Sequence, residues 1–198
     1  MIGKLASKTA ESFIKNPNSC YDKIEIYQYG FFILYSNIFF FLITIILGAV
    51  LNVFLSSIFF FIAFFSIRQY AGGYHAKTET RCEIISTLSI LACIIVIRLA
   101  KTYDFLTVLL IISAVSAVSI FVFCPLDTPE KRLSKSEVKY FRKISWLILS
   151  VIIAVVVISF AFKFKMLLVP CCISLIFENI LIVAGKIKKV SKNNSVKA

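Results

Sequence analysis

The sequence predicts an all-α, polytopic membrane protein with about six transmembrane helices and both termini in the cytoplasm. Of the 198 residues 60% are hydrophobic, the mean hydropathy is +0.92, and 16% are charged. An ordinary soluble domain carries more charge and less apolar surface. A helix needs roughly 20 apolar residues to cross the hydrocarbon. Charge-poor stretches of about that length lie at 31–50, 51–67, 83–100, 105–123, 146–162 and 167–184.

The first two predicted spans form one apolar run over 31–67, which is too long for a single crossing. Gly48 and Asn52 mark the expected turn between two helices. Residues 1–29 mix apolar and charged side chains, which is typical of a helix on the membrane surface, and Asn-Pro-Asn at 16–18 would end it. We expect no cleavable signal, because no short apolar region follows a basic start.

The later loops and the last span carry most of the remaining polar residues. In the basic loop 124–145, Ser134 or Ser136 is expected to cap a helix running into the fifth span. The basic tail 185–198 is rich in Lys, Ser and Asn, which predicts disorder. Glu178 lies in the sixth span, where an ionisable group faces the bundle interior or marks a functional path. It is about two turns from the predicted cytoplasmic end, so we expect local water to reach it.

The distribution of Lys and Arg predicts the orientation, because cytoplasmic loops retain positive charge. With the N-terminus inside, the segments 1–30, 68–82, 124–145 and 185–198 carry 18 of the 22 basic residues. The net charge of +12 follows from this rule without a nucleic-acid partner. A basic inner face would also attract a bilayer with anionic headgroups. With one histidine and no paired Cys-x-x-Cys spacing, we expect no metal and no cofactor.

The cytoplasmic loop 68–82 contains the single histidine, His75, seven residues before Cys82. These two residues bring a base and an ionisable nucleophile into one loop. Thr80 followed by Glu83 fits a capping box, which would place Cys82 second in the next helix, near unpaired amides that lower a thiol pKa. Taken alone, a loop histidine and a cysteine at a helix start are more often inert.

A base must come within roughly 3 Å of the nucleophile it activates. Seven residues along an uninterrupted helix separate two side chains by about 10 Å, so the segment between His75 and Cys82 must bend back. The Gly72-Gly73 pair supplies the freedom for this bend. The same glycine amides are candidates for holding an oxyanion.

The run from Arg68 to His75 (Arg-Gln-Tyr-Ala-Gly-Gly-Tyr-His), followed by Cys82, closely resembles the accessory gene regulator B family. The loop 124–129 (Cys-Pro-Leu-Asp-Thr-Pro) strengthens the resemblance, which extends over essentially the whole chain. The family consists of bacterial membrane cysteine endopeptidases that process quorum-sensing propeptides. His75 and Cys82 match its catalytic pair.

The resemblance implies that Cys82 attacks a carbonyl near the C-terminal end of a signal-peptide precursor, an AgrD-like propeptide, while His75 takes the thiol proton. A thioester on Cys82 then passes to a side chain of the precursor and closes a thiolactone or lactone ring. Arg68, Gln69 and the Gly72 and Gly73 amides are candidates for orienting or oxyanion roles. Asp127 is a candidate support for His75. The resemblance further implies the bacterial cell membrane as location, an active site at its cytoplasmic face, and allows a homodimer.

Two alternatives from other functional classes remain open at this point. One is a small non-enzymatic transporter or exporter in which Glu178 lines the path. The other is a thiol-dependent acyltransferase that uses His75 and Cys82 on a lipid. We treat the chain as one integral membrane domain, 1–198, in each case.

Overall fold

The computed structural model describes residues 2–13, 21–74, 78–103, 105–126 and 134–197. Regular structure in these ranges is helical apart from one isolated β-bridge, which confirms the predicted all-α class. The helices are α1 (Ile2–Phe13), α2 (Tyr21–Val50), α3 (Phe54–Ala71), α4 (Glu79–Thr102), α5 (Leu106–Phe123), α6 (Lys135–Ala161) and α7 (Lys165–Lys197).

Six of these helices, α2 to α7, are long and apolar enough to cross a membrane, as the sequence predicted for a multi-pass membrane protein. Three of them extend at least ten residues past the predicted spans, into segments that are more polar. α2 begins at Tyr21, α6 begins at Lys135, and α7 continues to Lys197. The prediction of a disordered tail after residue 184 is therefore wrong for the backbone up to Lys197.

The turn predicted near Gly48 and Asn52 separates α2 from α3. Asn52 has a positive φ of 56°, and the Val53 amide donates to Gly48 O at 2.8 Å. A Cβ at Gly48 would overlap the side chain of Ser57, so glycine lets the two helices approach closely at this end. The first apolar run is thus two antiparallel helices, as expected.

Helix α1 packs against α2 through small apolar side chains spaced one turn apart. Ile2, Ala6 and Ala10 are buried, and Thr9 Oγ1 lies 3.0 Å from the hydroxyl of Tyr35 on α2. The structure describes this part of the predicted segment 1–29 as a helix up to Phe13, and the expected Asn-Pro-Asn stop lies outside the described residues. A surface location for α1 stays a prediction.

Helix α7 is the central helix of the bundle. In the most apolar part of α7, 56% of the residues are buried inside the bundle, whereas in the corresponding parts of the other five long helices 17–33% are buried. It packs against α3, α4, α5 and α6. Many large apolar side chains of the outer helices are exposed, which fits contact with lipid rather than water. Two polar residues in the middle of α7, Ser174 and Glu178, are consequently surrounded by protein.

Candidate functional site

The guanidinium of Arg68 donates hydrogen bonds to two backbone carbonyls just after the end of α3. Nη1 donates to Gly72 O at 2.5 Å and Nη2 donates to Tyr74 O at 2.6 Å. Between these carbonyls the chain turns at Gly72 and Gly73, whose φ angles of 77° and 130° are rarely adopted by residues with a side chain. One arginine therefore fixes the backbone of residues 71–74, which we call the 71–74 turn.

The 71–74 turn is docked on two other parts of the bundle. The Tyr74 amide donates to Leu181 O on α7 at 2.8 Å, and the Leu126 amide donates to Ala71 O at 2.9 Å. Gly72 and Leu126 form the parallel β-bridge. A Cβ at Gly185 on α7 would lie 2.9 Å from Tyr74 N, so a glycine there permits the close approach. The segment leading into His75 is thus held from three sides.

Helix α4 begins two residues earlier than expected. Thr78 is its N-cap and accepts a hydrogen bond from the Arg81 amide at 3.4 Å, while the Cys82 amide donates to Thr78 O at 3.0 Å. The prediction that Thr80 caps the helix is wrong, because Thr78 supplies the same hydroxyl two positions earlier and lengthens the helix. Cys82 is the fourth helical residue, and its own amide is already paired.

Cys82 and Arg68 line the same cavity, which lies between α2, α3, α4 and α7 and has a volume of about 140 Å³. We call it the Cys82 cavity. Its polar lining consists of Arg68, Tyr74, Cys82, Ser86 and Ser89, and its apolar lining consists of Phe40, Phe64, Phe65, Ile85, Ile90, Phe177 and Leu181.

The structure brings some of the predicted site residues together and leaves others apart. Arg68, Gly72, Gly73 and Cys82 lie around one end of the Cys82 cavity or on the turn beside it. Gln69 is exposed on α3 and does not line the cavity. His75 and Asp127 fall outside the described residues, so their predicted roles stay predictions.

Glu178 is fully buried beside Arg68, and its Oε1 lies 3.7 Å from Arg68 Nη1. Neither carboxylate oxygen has a hydrogen-bond partner among the described residues. The expectation that local water reaches Glu178 is wrong, because α7 is the central helix and its neighbours enclose this turn. The sequence revealed a charge inside a span, but the pairing with Arg68 depends on tertiary packing.

The cysteines differ sharply in exposure. Of the five described, Cys82 is partly exposed, whereas Cys93, Cys124, Cys171 and Cys172 are buried. At the end of α5, burial and then the charge of Glu178 raise the pKa of the Cys124 thiol to about 12. Its sulfur donates to Ala71 O at 3.7 Å. Cys124 is therefore a neutral, packed thiol at physiological pH, unlike a reactive nucleophile.

Comparison with known proteins gives a consistent result. The family model described as Accessory gene regulator B matches residues 6–183. The chain is 26% identical over 186 residues to AgrB-like protein 2 of Clostridium perfringens (strain 13), covering 89% of this chain and 87% of that protein. It is 30% identical over 99 residues to accessory gene regulator protein B of Staphylococcus intermedius, covering 50% of this chain and 51% of that protein. No solved structure matches the chain significantly.

Proposed function

The chain belongs to the accessory gene regulator B family, and from this premise we propose that it is a membrane cysteine endopeptidase that matures a quorum-sensing peptide. The substrate is an AgrD-like propeptide, from which the enzyme removes the C-terminal tail. The nucleophile is Cys82 and the base is His75. The peptide product is a cyclic thiolactone or lactone.

The observation that carries this proposal is the surroundings of Cys82. Its thiol is the partly exposed one among the described cysteines, and it lines a cavity together with Arg68 and Tyr74. Tyr74, the residue that precedes His75 in the sequence, also lines this cavity. Arg68 donates to the carbonyls of Gly72 and Tyr74 and so fixes the backbone of the turn that precedes His75 in the sequence.

In the proposed reaction, His75 takes the Cys82 proton and the sulfur forms a bond to the substrate carbonyl carbon. His75 then gives that proton to the leaving amine as the C–N bond breaks, and the C-terminal fragment departs. The remaining peptide is a thioester on Cys82. A cysteine or serine side chain of the peptide next attacks this carbonyl, and Cys82 leaves as the ring closes. The C–S bond to Cys82 breaks as the new C–S or C–O bond forms, and the Cys82 thiolate regains the proton that the attacking side chain loses. One activated acyl group replaces another, so this step requires no ATP.

Hydrolysis of the thioester competes with ring closure. Holding the internal nucleophile beside the acyl group raises its effective concentration and favours the ring. The Gly72 and Gly73 amides, Arg68 and Gln69 remain candidates for orienting the carbonyl, and Asp127 for orienting His75. Gln69 would have to act from its exposed position on α3. A basic face toward the cytoplasm would attract an acidic tail and anionic lipid, and a homodimer is compatible with the proposal.

The test uses the full chain reconstituted in liposomes with a synthetic AgrD-like propeptide that has a central Cys or Ser and an acidic C-terminal tail, and follows cleavage by mass spectrometry. We expect Cys82→Ala and His75→Ala each to lower the cleavage rate at least about 1000-fold. Cys93→Ala, which removes a buried thiol from α4, is the matched control and should retain cleavage. Normal processing by Cys82→Ala would refute the proposal.

The two alternatives predict different outcomes. A transporter with Glu178 in its path would tolerate Cys82→Ser and lose function in Glu178→Gln. The burial of Glu178 against Arg68 favours a structural role over a water-lined path. A lipid acyltransferase would carry a fatty acyl group on Cys82, whereas the peptidase carries the precursor fragment. The intact mass of the trapped acyl-enzyme distinguishes these two.

A further inference from the structure

One face of α4 connects Cys82 to the interior of the bundle. Cys82, Ile85, Ser86 and Ser89 all line the Cys82 cavity, and their spacing of three and four residues places them on one side of the helix. Ser89 lies about 10 Å along the axis from Cys82, because each residue adds 1.5 Å. The cavity therefore runs from the thiol toward the membrane-embedded core.

The walls facing α4 are aromatic. Phe64 on α3 lies against Phe177 on α7 with ring centroids 4.8 Å apart, and against Phe65 in an edge-on arrangement at 5.2 Å. All three rings line the cavity. Such walls favour an apolar guest, because a polar group transferred there would lose its hydrogen bonds to water.

The volume of the cavity matches one side chain. An apolar protein cavity of about 150 Å³ in another protein accommodates benzene, and the Cys82 cavity measures about 140 Å³. It therefore accommodates a single phenyl ring or a leucine-sized side chain, and is too small for two.

The positive charge in the lining belongs to Arg68, which already has partners in the protein. Arg68 is the cation of the cavity, but its Nη atoms donate to two backbone carbonyls and Glu178 lies 3.7 Å from Nη1. An acidic guest would have to compete with this buried carboxylate. The lining thus favours neutral, apolar side chains over acidic ones.

We propose that the Cys82 cavity is the subsite for the side chain of the residue whose carbonyl Cys82 attacks, and that this residue is large and apolar. The inference rests on the proposed role of Cys82 as nucleophile. The acyl residue stays attached to the sulfur while the amine fragment leaves, so its side chain occupies the space directly beside Cys82. Filling this space also keeps water from the thioester and so favours ring closure over hydrolysis.

The test uses small probes of known composition, the p-nitrophenyl esters of N-acetyl-Phe, N-acetyl-Leu, N-acetyl-Ala and N-acetyl-Asp, on the full chain in liposomes. His75 takes the Cys82 proton and passes it to solvent, the sulfur bonds to the ester carbonyl, and p-nitrophenolate leaves with the electron pair of the broken C–O bond. Release of p-nitrophenolate gives the rate, and peptide mapping locates the acyl group. We expect the Phe and Leu esters to acylate Cys82 about 10- to 100-fold faster than the Ala ester.

Ser89→Phe places a ring at the inner end of the cavity without changing Cys82. We expect it to reduce the Phe-over-Ala preference at least about fivefold while the Ala ester still reacts, which also shows that the variant is folded. Ser89→Leu provides a milder second variant. Ser150→Phe adds the same ring to an exposed position on α6 and should leave the preference unchanged.

Equal rates for the Phe, Leu and Ala esters, or a faster rate with the Asp ester, would overturn the subsite and leave Cys82 as a nucleophile. An unchanged preference in both Ser89 variants would also overturn it. If no ester acylates Cys82, the nucleophile assignment fails, and the subsite and the proposed function fail with it.

Discussion

Because Arg68 also binds two backbone carbonyls, we expect replacement of Arg68 to destabilise the protein more than replacement of its partner Glu178. Replacing Arg68 by Met removes two hydrogen bonds to carbonyls and leaves Glu178 buried without a counter-charge. Breaking a buried ion pair in this way costs about 3–5 kcal/mol. Glu178→Gln leaves the carbonyl hydrogen bonds of Arg68 in place and buries an amide without partners, which costs about 1–3 kcal/mol.

For a chain of this length, each kcal/mol shifts Tm by about 2–4 °C. We therefore expect Arg68→Met to lower Tm by roughly 6–20 °C and Glu178→Gln by roughly 2–12 °C. The assay is thermal unfolding in detergent, followed by a maleimide dye that reacts with the four buried cysteines as they become exposed. A background in which Cys20 and Cys82 are both replaced by serine leaves only the four buried thiols to report unfolding.

Arg98→Met is the matched control, because Arg98 is exposed on α4. It should change the free energy of unfolding by less than about 0.5 kcal/mol. Arg68→Met combined with Glu178→Gln should cost less than the sum of the single changes, since the partners are in contact. Additive effects, or a larger loss in Glu178→Gln than in Arg68→Met, would refute the pairing.

Three further predictions concern the same end of the bundle. Gly73→Ala should lower the free energy of unfolding by more than about 1 kcal/mol, because Gly73 has a positive φ and a Cβ there would meet the Arg68 guanidinium. Gly30 has open space around it, so Gly30→Ala should be neutral or stabilising in the same thermal unfolding assay. Thr78→Ala should cost about 0.5–2 kcal/mol and speed hydrogen exchange at the Arg81 amide, and Thr80→Ala should do neither. N-ethylmaleimide at pH 7 should modify Cys82 and spare Cys124, because Cys124 is buried and burial raises the pKa of its thiol to about 12. Peptide mapping measures the labelling of each cysteine, and equal labelling of Cys82 and Cys124 would contradict the described burial.

The helices and most of their ends could be predicted from sequence because the information is local. Apolar runs define the six long helices, the positive φ at Asn52 lies where the turn was expected, and Ser134 caps α6 with Glu137 completing the capping box. The start of α4 was misassigned because Thr78 and Thr80 both precede the same apolar run, and a capping pattern alone does not decide between them.

The surroundings of the candidate site could be predicted less well. The stretch from Arg68 to Cys82 stands out in the sequence as a polar interval with two glycines. Its docking on Leu181 and Leu126, and the role of Glu178 beside Arg68, arise from residues far apart along the chain that meet only when the helices pack. Helical periodicity therefore does not predict these contacts.

The β-bridge between Gly72 and Leu126 connects the segment that follows α3 to the segment that follows α5. A displacement of the backbone at Leu126 must either break the hydrogen bond to Ala71 or carry the 71–74 turn with it. Leu126 and the turn that precedes His75 in the sequence are therefore mechanically linked.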